Sequence, residues 1–113
     1  MARAYVPERG DIVWLSFDPQ SGHEQAGHRP ALVLSPRAYN IKVGLGLFCP
    51  ITSQIKGYPF EVPIAGSTVR GAVLADQVRS LDWRARRATF CEPSSQECMD
   101  EVLGKLLTLV EPK

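Results

Sequence analysis

The chain has 113 residues and a net charge of +1, with 44% hydrophobic and 22% charged residues. This composition fits one globular domain over residues 1–113 and excludes a mainly disordered chain. No apolar run approaches the ~18 residues that a membrane span needs, and the first residues lack the apolar core of a signal peptide. We therefore expect a cytoplasmic protein without a membrane partner, whose three cysteines are reduced thiols.

The charge is unevenly distributed along the chain. Of the 13 basic and 12 acidic residues, 11 and 7 lie in residues 1–91, so this part carries +4 and residues 92–113 carry −3. Nine of the basic residues are arginines, whose planar guanidinium can bind phosphate through two parallel hydrogen bonds. The pattern is a weak indication of a nucleic-acid partner, because surface arginines are more often simply solvated.

Short strands separated by turns are predicted from Gly10 to Cys91. Apolar alternation gives the first strand at Ile12–Phe17, and residues 18–28, which are almost free of apolar side chains, predict a long mobile loop. Pro63 favours an edge or bulged position for its strand. The other predicted strands are Ala31–Ser35, Leu45–Ile51, Phe60–Ile64, Gly71–Ala75 and Ala88–Cys91, with one or two helical turns in Pro36–Val43.

The last 20 residues change to a helical period. Ser94 and Glu97 have the spacing of a capping box, and an apolar stripe follows that should pack on the core. Its members are Met99, Val102, Leu103, Leu106, Leu107 and Val110. Many short strands with one terminal helix predict a mainly β fold, a small β-barrel closed at one end by that helix.

Most kinds of catalytic site are excluded by spacing. His23, His28 and the cysteines lack the separations of metal ligands, and no glycine-rich phosphate loop, nucleophile elbow or dinucleotide fingerprint occurs. The sequence therefore predicts no metal and no cofactor. Cys49, within an apolar run, is predicted to be an inert buried thiol.

One polar cluster remains, at residues 23–30. It contains His23, Glu24, Gln25, His28 and Arg29, flanked by Gly22 and Gly27 and followed by Pro30. On composition alone a solvated turn is the commoner interpretation. The alternative is a glycine-hinged loop that brings a cation, a carboxylate and an imidazole to an anionic substrate. Arg29, at the junction with a strand, and Thr52, at the end of another, are the best-positioned candidates, although a strand-end threonine often only satisfies a turn.

Four segments of the chain point to a known family. They are GDIVWLSFDP (Gly10–Pro19), EQAGHRPALVLSP (Glu24–Pro36), KGYPFEV (Lys56–Val62) and GAVLADQVRSLDWRAR (Gly71–Arg86). In this order they resemble the MazF (PemK-like) toxin endoribonucleases of the Kid/CcdB/MazF superfamily. The resemblance implies an SH3-like β-barrel, a homodimer, and metal-independent, sequence-specific cleavage of single-stranded mRNA that inhibits translation and growth. It also implies a MazE-like antitoxin, with contact to operator DNA only through that antitoxin.

The resemblance places the family's catalytic arginine and threonine on Arg29 and Thr52. Metal-free RNA cleavage proceeds by attack of the 2′-hydroxyl on phosphorus, and it needs a base, an acid and donors for the phosphorane. The guanidinium of Arg29 suits electrostatic stabilisation, since its pKa lies above ~12 and it is a poor proton acceptor. Glu24 and His28 are the candidates for the base or for orienting the substrate.

Arginines near amide and aromatic side chains suit single-stranded RNA, which is bound through phosphate charge and exposed base edges. The predicted RNA-binding residues are Lys56, Asp76, Gln77, Arg79, Arg84 and Arg86. The alternative is that Trp83 is structural and that the neighbouring arginines only flank a strand. Trp14 is predicted to lie in the core.

Two other functions stay open. The superfamily includes CcdB-like toxins that bind and poison DNA gyrase without cleaving anything, and a catalytically silent SH3-like interaction domain is a third reading. The intact Gly27-His28-Arg29-Pro30 and Ile51-Thr52-Ser53 patterns favour the nuclease, because a gyrase poison does not need them.

Overall fold

A computed structural model describes residues 4–17 and 28–112. Its strands are β1 Asp11–Ser16, β2 His28–Val33, β3 Gly46–Thr52, β4 Glu61–Ala65, β5 Arg70–Leu74, β6 Arg79–Leu81 and β7 Thr89–Pro93, and its helices are α1 Arg37–Val43 and α2 Gln96–Val110. The mainly β prediction is confirmed. The strand β6 was not predicted, because it has three residues and two of them are polar. The predicted loop at 18–28 lies outside the described residues, apart from His28.

All strand pairs are antiparallel, in the order β4-β5-β3-β2-β1-β7, with β6 paired to β3. The central strand β3 changes partner along its length. Gly46–Phe48 pairs with β6, while Ile51 and Thr52 pair with β5. This change of partner curls the sheet into a half-barrel whose edge strands are β4 and β7. Pro63 lies in β4, which is an edge strand, as predicted for a proline within a strand.

A carboxylate links the two edges of the half-barrel. Glu92 of β7 is buried and accepts hydrogen bonds from the backbone N–H groups of Ser67, Thr68 and Val69 at 2.8–3.1 Å, and from the Ser67 hydroxyl at 2.9 Å. These residues form the turn between β4 and β5. Glu92 therefore joins β7 to the far end of the sheet where no described strand pairing does so.

The core has two parts, one on each face of the sheet, since successive residues of a strand point to opposite sides. The α2 face packs under the terminal helix and includes Ile12, Leu32, Cys49, Val73, Met99 and Val102. The opposite side, here called the Trp83 face, consists of Val13, Leu15, Ala31, Val33, Phe48, Leu81 and Trp83. This double burial explains the nearly continuous apolar run of β2.

The structure corrects two details of the predicted terminal helix. The N-cap is Ser95, whose hydroxyl accepts from the Cys98 N–H at 3.0 Å, whereas Ser94 donates to the Gly10 carbonyl at 2.7 Å. Because the helix begins at Gln96, Ser94 lies one position before the cap and bonds to the turn that precedes β1. The apolar stripe is core only in its first half, since Leu107 is 52% and Val110 is 65% exposed.

Trp83 is structural, as one of the two interpretations proposed. Its ring is buried and its indole N–H donates to the Asn40 carbonyl at 3.1 Å. Asn40 itself is fully buried, and its side chain bonds to Ser35 and to the Pro7 carbonyl. Trp14, predicted in the core, is only partly buried. In the described ranges, no helix has the length and apolar character needed to cross a membrane.

Candidate active site

Arg29 and Thr52 lie on neighbouring strands. The pairing of β2 with β3 aligns Ala31 with Pro50, and the same register continued by two residues places Arg29 opposite Thr52. By alternation, Arg29 shares its side with Ala31, and Thr52 shares its side with Phe48, so both belong to the Trp83 face. Both residues therefore lie just beyond the same end of the β2–β3 pairing and on the same side of the sheet.

The backbone around Thr52 is tightly constrained. Thr52 pairs with Ala72 of β5, and its hydroxyl oxygen accepts from the Gln54 N–H at 3.1 Å. No described residue accepts the hydroxyl hydrogen, which can therefore be donated to a ligand. Gly71 has φ +135°, and a Cβ there would lie 2.0 Å from the Thr52 carbonyl oxygen. Only glycine allows β5 to approach Thr52 this closely.

A cleft of about 450 Å³ begins at Thr52. The side chains and backbone that line it belong to Thr52, Gln54, Lys56, Gly57, Tyr58, Glu61, Leu74 and Gln77. The buried carboxylate of Glu61 accepts from the N–H groups of Lys56 and Gly57, each at 3.0 Å, and so fixes the segment that carries Lys56. The cleft offers a hydroxyl, an ammonium and an amide, which suit a phosphate and a base edge.

Asp76 is held beside this cleft by Tyr58. The Tyr58 hydroxyl donates to Asp76 Oδ2, and this bond raises the pKa of Tyr58 above its ordinary value. Asp76 Oδ1 is buried and has no hydrogen-bond partner within residues 4–17 and 28–112. Burial, with a further contribution from the Asp76 charge, raises the pKa of the Cys49 thiol to about 12. Cys49 is therefore a protonated, buried thiol, as predicted.

The structure does not bring His28 together with Arg29 and Thr52. Neighbouring residues of a strand face opposite sides, and His28 stacks on Trp14 with ring centroids 6.2 Å apart and planes at 11°. It therefore belongs to the α2 side of the sheet. Glu24, like His23 and Gln25, lies outside the described residues.

The three predicted RNA-binding arginines have different surroundings. Arg79 is opposite Phe48 in the β3–β6 pairing, hence on the side of Arg29 and Thr52, and its guanidinium lies 5.4 Å from the Phe17 ring centroid. Arg84 is exposed, with its guanidinium 4.6 Å from the Trp83 ring centroid. Arg86 is partly buried, and one guanidinium nitrogen donates to two backbone carbonyls.

Sequence reasoning did not identify the roles of Tyr58 and Gly71. A glycine inside a strand is a sequence signal of close backbone approach, and it was available at Gly71. Nothing in the sequence pairs Tyr58 with a carboxylate 18 positions away. Within the described part of the chain, no three His, Cys, Asp or Glu side chains are close enough to hold a metal ion.

Comparison with known proteins identifies relatives over almost the whole chain. Endoribonuclease toxin MazF of Escherichia coli is 50% identical over 97% of this chain and 99% of the relative. Endoribonuclease toxin ChpB of the same species is 43% identical over 92% of this chain and 94% of its own. The crystal structure of MazF (Form-I) from Deinococcus radiodurans matches with a TM-score of 0.87 and 55% identity, over 96% of this chain and 100% of that chain.

A MazE-MazF crystal structure (Form-II) from Deinococcus radiodurans also matches, with a TM-score of 0.86 and 49% identity over 97% of this chain and 100% of that chain. The named relatives are endoribonucleases, which supports the nuclease prediction and not the gyrase-binding alternative. A family model described as "PemK-like, MazF-like toxin of type II toxin-antitoxin system" covers residues 8–110. The chain belongs to this PemK-like, MazF-like family of toxins.

Proposed function

We propose that this chain is the toxin of a type II toxin–antitoxin pair and that it cleaves single-stranded RNA at specific sequences without a metal, in the cytoplasm. The observation that carries the proposal is the position of Thr52 in a cleft that contains Lys56 and Gln77, with Arg29 on the same side of the sheet on the neighbouring strand β2. A guanidinium and a hydroxyl donor on the same side of the sheet suit a phosphodiester in its transition state.

The reaction uses the nucleophile of the RNA itself. A base removes the proton of the 2′-hydroxyl as its oxygen forms a bond to phosphorus, and an acid protonates the 5′-oxygen as the bond from phosphorus to that oxygen breaks. The products are a 2′,3′-cyclic phosphate and a 5′-hydroxyl. Arg29 stabilises the phosphorane charge and Thr52 donates its hydroxyl hydrogen. Arg29 does not accept the proton, because its pKa lies above ~12.

Glu24 is the proposed base, and His28 is given an orienting role, since its stacking on Trp14 separates it from Arg29 and Thr52. Lys56 and Arg79 hold phosphates on either side of the scissile bond. Gln77 reads base edges, as amide groups do in RNA complexes, whereas Asp76, predicted to do the same, has one carboxylate oxygen bonded to Tyr58 and the other buried, so it orients Tyr58 instead.

A MazE-like antitoxin is the proposed protein partner, supported by the complex of the Deinococcus relative. Residues 1–91 carry +4, so an acidic, flexible antitoxin tail would bind the same side as the RNA. Operator DNA would be reached only through that antitoxin, and two copies of the chain would form the working homodimer.

The test is incubation of the purified chain with a long single-stranded RNA in EDTA, followed by mapping of the new ends. Cuts at a recurring short sequence, with cyclic phosphate and 5′-hydroxyl ends, would support the proposal. Intact RNA would refute it, and a gyrase supercoiling assay on the same preparation would then test the binding-only alternative.

A further inference from the structure

Arg86 makes three hydrogen bonds to the end of β1, a segment about seventy positions earlier in the chain. Its guanidinium Nη1 donates to the Ser16 carbonyl at 3.0 Å and to the Phe17 carbonyl at 2.8 Å. Its own carbonyl accepts from the Ser16 N–H at 3.0 Å. A charged donor shared between two carbonyls is a strong anchor, because such bonds are stronger than those between neutral groups.

The hydrogen bonds of Arg86 take the place of a neighbouring strand at the end of β1. The pairing of β1 with β7 ends at Trp14 and Thr89, so beyond Trp14 that edge of β1 has no strand beside it in the described chain. Arg86 supplies the next bonds, at Ser16. On its other edge, β1 continues to pair with β2, placing Leu15 opposite Arg29 and Ser16 opposite His28. The end of β1 thus supports the strand segment that carries Arg29.

We propose that Arg86 is a positioning residue for Arg29, acting through Ser16 and the β1–β2 pairing, and that it does not bind RNA. The inference rests on the proposed RNA cleavage, and it replaces the sequence-based prediction that Arg86 is an RNA contact. The guanidinium is held against the backbone of β1, because Nη1 donates both of its hydrogens to carbonyls and the arginine is partly buried.

Arg84 provides a matched control in the same turn. The Asp82 carboxylate accepts from the Arg84 N–H at 3.1 Å and from the Ala85 N–H at 2.9 Å, so one turn carries both arginines. Arg84 is exposed over Trp83. Replacing either arginine by methionine removes one positive charge from this turn, but only the Arg86→Met change removes the anchor.

The experiment compares Arg86→Met, Arg86→Lys and Arg84→Met. Single-turnover cleavage gives the chemical rate, and binding of an uncleavable RNA with a 2′-deoxy cut site is measured over a range of salt. We expect Arg86→Met to lower the rate about 10- to 100-fold, because small displacements of a catalytic group are costly. The dependence of its RNA affinity on salt should stay that of the wild type.

A phosphate contact would behave differently. Loss of a phosphate contact weakens RNA binding and reduces the slope of log affinity against log salt concentration by about 1. A lysine at the same position would restore that binding. A reduced slope for Arg86→Met, or full activity of Arg86→Lys, would overturn the proposal. We expect Arg86→Lys to remain slow, since the lysine ammonium lies one bond closer to the backbone than Nη1 and lacks the rigid planar geometry of the guanidinium.

Amide hydrogen exchange gives a readout that does not depend on cleavage. Exchange at Ser16, whose N–H bonds to the Arg86 carbonyl, and at Arg29, opposite Leu15 in the β1–β2 pairing, should accelerate at least several-fold in both Arg86 variants and stay unchanged in Arg84→Met. Unchanged exchange in the Arg86 variants would refute the anchor even if the rate fell. If the wild-type chain cuts no RNA, the proposed function fails, while the exchange data still decide whether Arg86 holds this end of β1.

Discussion

At the residue scale, Arg29 combines an anchored backbone with an exposed side chain. Its neighbour on β1, Leu15, is fully buried, so the strand position is set by packing, and the guanidinium contributes little to that packing. A side chain of this kind can be removed without disturbing the fold, which makes its chemical role directly measurable.

We expect Arg29→Ala to lower the cleavage rate by about 10²–10³-fold, the usual cost of losing one preorganised donor in a transition state. The melting temperature should stay within the error of the measurement. Arg29→Lys should recover little activity, because an ammonium cannot make two parallel contacts to a phosphate. Full activity of a folded Arg29→Ala protein would remove Arg29 from the mechanism.

The residue scale also shows where sequence reasoning stops. Alternation predicted which positions of the strands are buried, but not which side of the sheet carries Arg29 and Thr52. The separation of His28 from Arg29 follows from strand register, which no local pattern reveals. The anchor of Arg86 depends on residues about seventy positions away, and tertiary contacts at that separation leave no local signal.

At the element scale, the change of partner along β3 shapes the cleft of the candidate site. Where β3 leaves β6 and joins β5, the sheet curls and the cleft begins at Thr52. Strands predicted from alternation were correct to within a few residues. The short β6 and the shift of the helix cap from Ser94 to Ser95 were not predicted, because both depend on bonds to other elements.

The close approach of β5 to Thr52 can be tested with glycine substitutions. We expect Gly71→Ala to destabilise the fold and to lower cleavage strongly, since the added Cβ would lie 2.0 Å from the Thr52 carbonyl. Gly104→Ala is the matched control, because it lies in α2 with nothing within 4 Å and should raise the free energy of unfolding by about 0.5–1 kcal/mol. Denaturant unfolding and cleavage assays distinguish the two, and a stable, active Gly71→Ala protein would contradict the assigned geometry.

At the scale of the whole molecule, two arginines of the basic residues 1–91 lie on the side of the sheet that carries Thr52. Arg79 and Arg29 both lie on the Trp83 face, and Lys56 lines the adjoining cleft. An anionic chain of either kind, RNA or an acidic peptide, would meet the same charges there.

We therefore expect an acidic antitoxin tail and an uncleavable RNA to compete for the toxin, and both to bind more weakly as salt rises. The measurement is a titration of a labelled 2′-deoxy RNA complex with the tail, repeated at several salt concentrations. A tail of scrambled sequence with equal charge is the control for non-specific displacement. Simultaneous binding of RNA and tail at saturation would show that inhibition acts from a separate surface.

The Glu92 link across the open side of the half-barrel makes the stability of the fold sensitive to acid. Its hydrogen bonds, the Val69 N–H first among them, lower the pKa of Glu92 below the ordinary value. A carboxylate with a lowered pKa stabilises the fold above the ordinary pKa of about 4.3, and this contribution is lost as pH falls through the lowered value.

The difference in unfolding free energy between the wild type and Glu92→Gln should therefore shrink steadily below about pH 4, while Glu111→Gln, at the exposed end of α2, should show no such trend. Acid would then separate β7 from the β4–β5 turn, leaving the strands that carry Arg29 and Thr52 paired with each other after the opposite rim of the half-barrel has come apart.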